Sequence, residues 1–313
     1  MGSKRKLAPK ILDYIIENNP NCKYVYDLFG GGGAISFEAL QRNQIKQVYY
    51  NELNTGVVKL LEKIRDEGIT DEFYNWIDRE SFNNLKDGDD WKAGLVKTCW
   101  SFGNSQKGYL FGKDKEEYKR LLHEVIVNNC EESKLTFEKK TEIALPKLYS
   151  TNIQERRLEL TRYLKSIIKT AKDSDFKTNF GVGLDKIVLL QQLQQLQQLE
   201  RLQQLERIQQ LELSNLSYEQ VKIETPIEET IVYLDPPYEN TGSYQKETCH
   251  RELEKYISKS PYKIYVSSYE FNLPEVSNWE HRSLLSSTNN SKVVQEKLFC
   301  NREEPKVKQF ELF

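Results

Sequence analysis

Apolar residues in 7–18 recur at helical spacing: Leu7, Ile11 and Ile15 follow one another by about one turn, with Ile16 beside the last and a proline start, which predicts an amphipathic helix. The pattern then changes. Residues 23–29 are β-branched and aromatic, four glycines follow at Gly30, Gly31, Gly32 and Gly33, and residues 34–41 return to helical composition. This is a strand, a glycine loop and a helix in succession. A second strand at 47–50 ends at Asn51 and Glu52, and a further helix is expected over 54–65.

After that helix the alternation of strands and helices lapses for roughly 140 residues, about the size of one domain. Within this stretch 113–128 and 154–172 read as helices, the second with a basic bias. Between 91 and 111 lie Trp91, Trp100, Phe102, Tyr109 and Phe111, interleaved with Asn104, Gln106 and Lys107. Such a mixture can contact bases and phosphates together, and it equally describes a small satellite core with a glycine-bearing loop.

Residues 190–211 carry an apolar residue at every third position among glutamines. On an α-helix that stripe precesses by about 60° per step, so it cannot hold one face toward a partner as a heptad seam does. A solvent-spanning helix acting as a connector is expected, and stacked turns of a short solenoid would also suit a period of three.

The strand pattern resumes at 211–214 and again at 231–234, the second running directly into Asp235, Pro236, Pro237 and Tyr238. A helix over 246–257, a strand at 263–268 and a closing hairpin, 279–285 with 293–299, complete the chain. Strands interleaved with helices on either side of a long insert predict an α/β fold.

The 313 residues allow two domains and a sizeable core. A mean hydropathy of −0.69 and the lack of an apolar run near the roughly 18 residues of a membrane span predict a protein with no membrane association. No leader-like apolar run opens the chain, so a cytoplasmic location is expected. Five scattered cysteines without a C-x-x-C pair argue against a disulfide framework and a zinc site, and only three histidines are present. The net charge of −2 means that any polyanion must meet a local basic face, such as Lys4-Arg5-Lys6, the stretch 97–113, or Arg156, Arg157, Arg162, Lys165, Lys169 and Lys172.

Two stretches hold candidate chemistry. At 235–238 the prolines fix the backbone and remove amide donors, so carbonyls and the Asp235 carboxylate face outward as acceptors beside the Tyr238 ring. That suits a planar ligand with N–H donors, such as a nucleobase, although a strand-ending turn with a capping acid reads the same way. The glycine loop lets a ligand approach the backbone, and Glu52 lies 19 residues beyond Gly33, where nucleotide folds bind ribose hydroxyls. A dinucleotide fingerprint would need glycine at position 36, where Ser36 stands, so a ligand with a ribose and no pyrophosphate, S-adenosylmethionine, fits better.

With these motifs in order, the chain resembles the Dam-type adenine-specific DNA methyltransferases. Asp27-Leu28-Phe29-Gly30-Gly31-Gly32-Gly33 is similar to that family's cofactor loop, Asn51-Glu52-Leu53-Asn54 to its ribose-binding acid, and Asp235 to Tyr238 to its catalytic motif. Gly2-Ser3-Lys4 is similar to an N-terminal cofactor motif, and Ser217-Tyr218 to a short motif beside the cofactor adenine. The resemblance implies a Rossmann-like S-adenosylmethionine-dependent sheet with a mostly helical insert. It divides the chain into a discontinuous catalytic domain (1–70 and 212–313), an inserted DNA-recognition domain (71–189) and a connector (190–211).

The resemblance further implies catalytic roles for Asp235, Pro236, Pro237 and Tyr238, and cofactor contacts from Lys4, Asp27, Phe29, Gly31, Gly33, Glu52, Asn54, Ser217 and Tyr218. Double-stranded DNA is the implied partner, contacted through Trp100, Asn104, Lys107 and Tyr109, with methyl transfer to the amino group of a flipped-out adenine and no metal. A restriction endonuclease partner is not evident from the sequence. Three alternatives share the motifs: an RNA guanine amino-methyltransferase, a cytosine amino-methyltransferase, and a catalytically silent DNA-binding protein on the same fold. The recognition-sized insert weighs against the first, the acid at the start of the catalytic motif against the second, and intact Asp235 and Tyr238 against the third.

Overall fold

The computed structural model describes residues 4–102, 106–173, 195–197, 199, 207–237, 250–282 and 293–303. Its centre is a seven-stranded sheet. Strands β1 (Tyr24–Asp27), β2 (Gln47–Asn51), β5 (Leu211–Ser214), β6 (Thr230–Leu234) and β7 (Lys263–Ser268) run parallel, and β8 (Glu275–Arg282) and β9 (Val293–Cys300) form an antiparallel hairpin. The spatial order is β5-β2-β1-β6-β7-β9-β8, with β9 antiparallel to β7. This is a Rossmann-like sheet whose order reverses between β1 and β6, the switch point where ligands of open α/β sheets bind.

The sheet's alternation distributes side chains to two cores. Val25, Val48, Ile231, Tyr233 and Tyr265 face the side covered by α1 (Lys4–Glu17) and α2 (Ala34–Leu40). Tyr26, Leu28, Val232, Leu234, Ile264 and Val266 face the other side, where Leu253 and Ile257 of α9 (His250–Lys259) pack. All five residues of β6 are buried, as expected of a central parallel strand covered on both faces.

The helix α1 begins earlier than its sequence pattern predicts, and Pro9 sits inside it. A proline there forgoes one helical hydrogen bond. Burial of Leu7, Ala8 and Ile11, together with the polar contacts of Lys4 described below, keeps the preceding residues helical.

The first core continues without a break into the helical insert, which comprises α4 (Arg79–Leu85), α5 (Trp91–Cys99), a two-stranded hairpin of β3 (Ser101–Phe102) and β4 (Gly108–Tyr109), α6 (Lys113–Val127), α7 (Glu131–Thr141) and α8 (Ile153–Asp173). The join is made by α3 (Thr55–Glu67) against α5: a Cβ on Gly94 would lie 1.9 Å from the Gly56 carbonyl oxygen, so the backbones meet there directly. Glycine at both positions permits that approach. The sequence pattern missed α4, α5 and α7.

The described part of the glutamine-rich tract corrects the expectation of a solvent-spanning connector. Residues 195–197 and 199 are helical, and Gln195, Leu196 and Leu199 are buried against the insert. The Gln195 amide approaches Nδ1 of buried His123 at 3.5 Å, while Nε2 of His123 lies 2.7 Å from the Tyr74 carbonyl, a pairing that requires the proton on Nε2. Packing against a core supplies what the period-three stripe does not. Residues 190–194, 198 and 200–206 lie outside the described residues.

Candidate active site

The carboxyl ends of β1 and β6 are held side by side, with Asp27 in register with Tyr233. Each strand hands its chain to a loop at the same edge. From β1 the chain leaves through Leu28, whose N–H still donates to the Tyr233 carbonyl at 3.1 Å. It then enters the glycine loop, where Gly31 and Gly33 adopt positive φ of 50° and 71°. Gly30 has a separate constraint: a Cβ there would lie 2.1 Å from the Tyr50 ring. That ring closes under the loop, and its hydroxyl donates to the Gly31 carbonyl at 2.7 Å.

Glu52, just beyond β2, bridges two backbone amides. Its carboxylate accepts from the Gly31 N–H and from the Asn54 N–H, both at 2.8 Å. Since a carboxylate offers about four acceptor positions, capacity remains for a ligand's hydroxyls. Asn54 has a local task as well, since its side chain caps α3 by accepting from the Val57 N–H at 3.4 Å.

Asp27 is buried, with Oδ2 accepting from the Ser36 hydroxyl at 2.7 Å. Burial pushes its carboxyl up to about 7; the Ser36 hydrogen bond works against this, and the nearby charges of Asp235 and Glu52 add to it. Ser36, the residue that departs from the dinucleotide fingerprint, is therefore the support of the buried acid.

Asn51 ties three segments together. Its amide donates to the Leu28 and Leu216 carbonyls at 3.1 and 2.9 Å, and its oxygen accepts from the Ser214 hydroxyl and the Leu216 N–H at 2.8 and 3.1 Å. This fixes the loop after β5, in which Ser217 opens a short 3₁₀ turn through a capping box with Gln220. Tyr218 follows, its ring 5.3 Å from that of Phe29 and tilted by 31°. Sequence reasoning quoted Asn51 only as part of a motif.

On the other side of the switch point, Asp235 is held by Lys4. The ammonium lies 2.9 Å from Asp235 Oδ1, 2.6 Å from Glu296 Oε1 and 2.9 Å from Ser267 Oγ, and Ser267 in turn donates to Glu296 at 2.8 Å. Burial opposes the charge on Lys4, but the Asp235 and Glu296 carboxylates outweigh it, and its pKa is raised. Pro236 is buried and Pro237 half-buried. The structure thus brings together Lys4, Asp27, Phe29, Gly31, Gly33, Glu52, Ser217, Tyr218, Asp235, Pro236 and Pro237 around one edge. Tyr238 and Asn104 lie outside the described residues, as do Gly2 and Ser3.

A family model for D12 class N6 adenine-specific DNA methyltransferases matches residues 1–267. The chain belongs to that family. Comparison with curated proteins gave no match. The chain is therefore an adenine-specific DNA methyltransferase. Among the described residues, no helix is long and apolar enough to cross a membrane.

Two of the DNA-contact expectations need correction for this methyltransferase. Trp100 is fully buried, edge-on to Trp76 at 5.0 Å, so its ring has no face to offer a base. Tyr109 is also buried, its hydroxyl donating to the Ile77 carbonyl at 2.7 Å and its ring covered by the Arg79 guanidinium at 4.9 Å. Both are core residues of the insert. The aromatic that the β3–β4 hairpin exposes is Phe102, at 67% of its surface, with Lys107 exposed just before β4. Alternation in the hairpin separates Phe102 from Tyr109: Phe102 pairs with Gly108, one position from the Ser101–Tyr109 pair, and adjacent positions point to opposite faces, whereas Trp100 stands before the hairpin as the C-cap of α5.

One member of the basic run in α8 is corrected in the same way, while Arg162 and Lys165 of that run are exposed. Arg156 is buried, and its guanidinium donates to the carbonyls of Ile126 and Val127 at 2.5 and 2.8 Å and of Ser150 at 3.0 Å. It caps the end of α6 and is not part of a polyanion face.

Proposed function

We propose that this enzyme transfers a methyl group from S-adenosylmethionine to the exocyclic amino group of an adenine swung out of duplex DNA, at a defined sequence. The observation that carries this reading is the convergence, at one switch point, of the glycine loop with Glu52 and of the Asp235-Pro236-Pro237 strand end. The side chains at this edge fit such a cofactor. Glu52 has acceptor capacity for two ribose hydroxyls, the Phe29 and Tyr218 rings form an aromatic wall for its adenine, and Glu52 and Asp235 give the crevice a negative potential suited to a sulfonium cation. When bound, the cofactor supplies an electrophilic methyl.

The protein's own part is to prepare the nucleophile. Adenine's amino lone pair is delocalised into the ring, so the nitrogen is a poor nucleophile until its hydrogens are drawn out of the base plane. The Asp235 carboxylate accepts one amino hydrogen and the Pro236 carbonyl the other, and the lone pair localises on nitrogen. A charge-assisted bond of this kind contributes about 1.5–3 kcal/mol. Tyr238 supplies a ring on which the extruded base stacks, offsetting by roughly 1–3 kcal/mol the few kcal/mol that unstacking costs. The exposed Phe102 and Lys107 of the insert's hairpin are the DNA-facing groups, an aromatic wedge beside a phosphate-binding cation.

The test is mass spectrometry of duplex DNA digested after incubation with isotopically labelled S-adenosylmethionine. Labelled 6-methyladenine is expected. Label appearing only as methylguanine in RNA, or no label in DNA at all, would overturn the reading.

A further inference from the structure

Glu296 is the least expected member of the site. It comes from β9, outside the residues matched by the family model, and a glutamate within that strand's pattern carries no sign of a site. The antiparallel insertion of β9 beside β7 brings it to the α1 face of the sheet, where Ser267 of β7 also points. There it is 1% exposed, with Oε1 2.6 Å from the Lys4 ammonium and 2.8 Å from the Ser267 hydroxyl. An ionised carboxylate so deeply buried requires compensation, and Lys4 provides it.

The consequence reaches Asp235. One ammonium stands between two carboxylates, so the cluster of Lys4, Asp235 and Glu296 carries one negative charge overall when all three are ionised. Among the described residues, its other neighbours include Tyr233 of β6, Tyr269 just past β7 and Asp27 of β1, each interacting electrostatically with Asp235. None of these adds a second cation. If Glu296 were neutral, Lys4 would pair wholly with Asp235, and an acceptor already neutralised by an ammonium draws weakly on an amino hydrogen.

We propose that Glu296 is a positioning residue for methyl transfer: by engaging Lys4 on the side away from the crevice, it fixes where Lys4 holds Asp235 and leaves the Asp235 carboxylate anionic toward the adenine amino group. This rests on the acceptor role assigned to Asp235 above. Glu296 itself touches no reacting atom.

The experiment is single-turnover transfer by Glu296→Gln across the pH range, with saturating duplex DNA and S-adenosylmethionine. The rate constant should fall by about tenfold or more, while the dissociation constants for both ligands change by less than about twofold, the split expected when only transition-state stabilisation is lost. Removing a negative neighbour makes Asp235 easier to ionise, so the acidic limb of the rate profile should move to lower pH. Glu296→Asp, which keeps the charge, should return the limb toward its wild-type position.

A folded Glu296→Gln protein with the wild-type rate and the wild-type acidic limb would overturn the proposal. Should that variant fail to fold, Lys4→Met serves instead. Losing the cation should move the limb to higher pH, and an unmoved limb would equally refute the coupling. The reading of the site fails differently, through wild-type protein that makes no 6-methyladenine or an Asp235→Ala variant that transfers at the wild-type rate.

Discussion

At the carboxyl edge of the sheet, buried ionisable groups meet one another: Lys4 joins Asp235 and Glu296, and Asp27 feels the charges of Asp235 and Glu52. In the helical insert, two buried ionisable groups meet backbone: Arg156 donates to carbonyls at the end of α6 and His123 to the Tyr74 carbonyl. The second arrangement closes accounts locally, because orphan carbonyls at a helix end and a buried donor satisfy each other. The first leaves charge directed at an open edge. Burial drives His123 down to about 4 and so keeps it neutral, whereas Asp27 is raised to about 7 and titrates near neutrality. Buried charge alone does not mark a site in this protein; the nature of its partners does.

The comparison breaks most sharply at Asp235. Replacement by alanine should lower single-turnover transfer by about 10²–10³-fold, the range found when a charge-stabilising group is removed from an active site. Cofactor binding should survive, as checked by equilibrium titration. Equal loss of binding would make Asp235 a structural partner of Lys4, on the pattern of the insert.

Asp27 tests the same contrast through pH. Its carboxyl stands at about 7 in the folded chain against an ordinary value of 3.8, so the stability it contributes is complete below the ordinary value and is lost as pH rises through about 7. His123, lowered from 6.5 to about 4, contributes in the opposite sense, with stability lost as pH falls through that window. Asp27→Asn should therefore gain stability relative to wild type as pH rises from about 4 to about 7, read by chemical denaturation. A difference independent of pH would remove Asp27 from the group of titrating residues.

Arg156→Met should act on stability alone. Leaving buried carbonyls at the end of α6 unpaired costs on the order of 2 kcal/mol, a fall in Tm of roughly 3 °C for a chain of this size, with the rate per folded molecule unchanged. Phe102→Ala should do the reverse. With most of its ring exposed it contributes little to the core, so Tm should hold. DNA affinity should drop by roughly fivefold, near the lower end of what one base-stacking aromatic contributes. An unchanged affinity would leave the hairpin without its proposed contact.

Much of the sheet was legible from the chain. The strands β2, β5, β6, β7 and β9 fall where alternation and apolar runs predict them, because a strand buried on one or both faces must carry that pattern, whereas β8 starts at Glu275, four positions before its predicted start at 279. The insert was less legible. Helices α4, α5 and α7 are short, and α5 packs on α3 through paired glycines, whose contribution is the absence of a side chain and so leaves no apolar periodicity to read. Trp100 and Phe102 look alike in sequence, and only the local backbone decides that one ring fills the core and the other meets solvent.

The chain by itself determined the identity of the chemistry-bearing pieces: the glycine loop, the acid 19 residues beyond Gly33, and the acid, two prolines and aromatic after an apolar strand. These are local features, since a loop's conformational freedom and a strand end's unpaired acceptors are fixed by adjacent residues. Tertiary structure alone decided which distant residues complete them. Lys4 reaches Asp235 across 231 positions, Glu296 reaches Lys4 across 292, and Asn51 clamps Leu28 to the loop at Leu216. Such contacts depend on strand order and on the sheet's two faces, and strand order is set by the packing of the whole chain, which no short stretch of sequence contains.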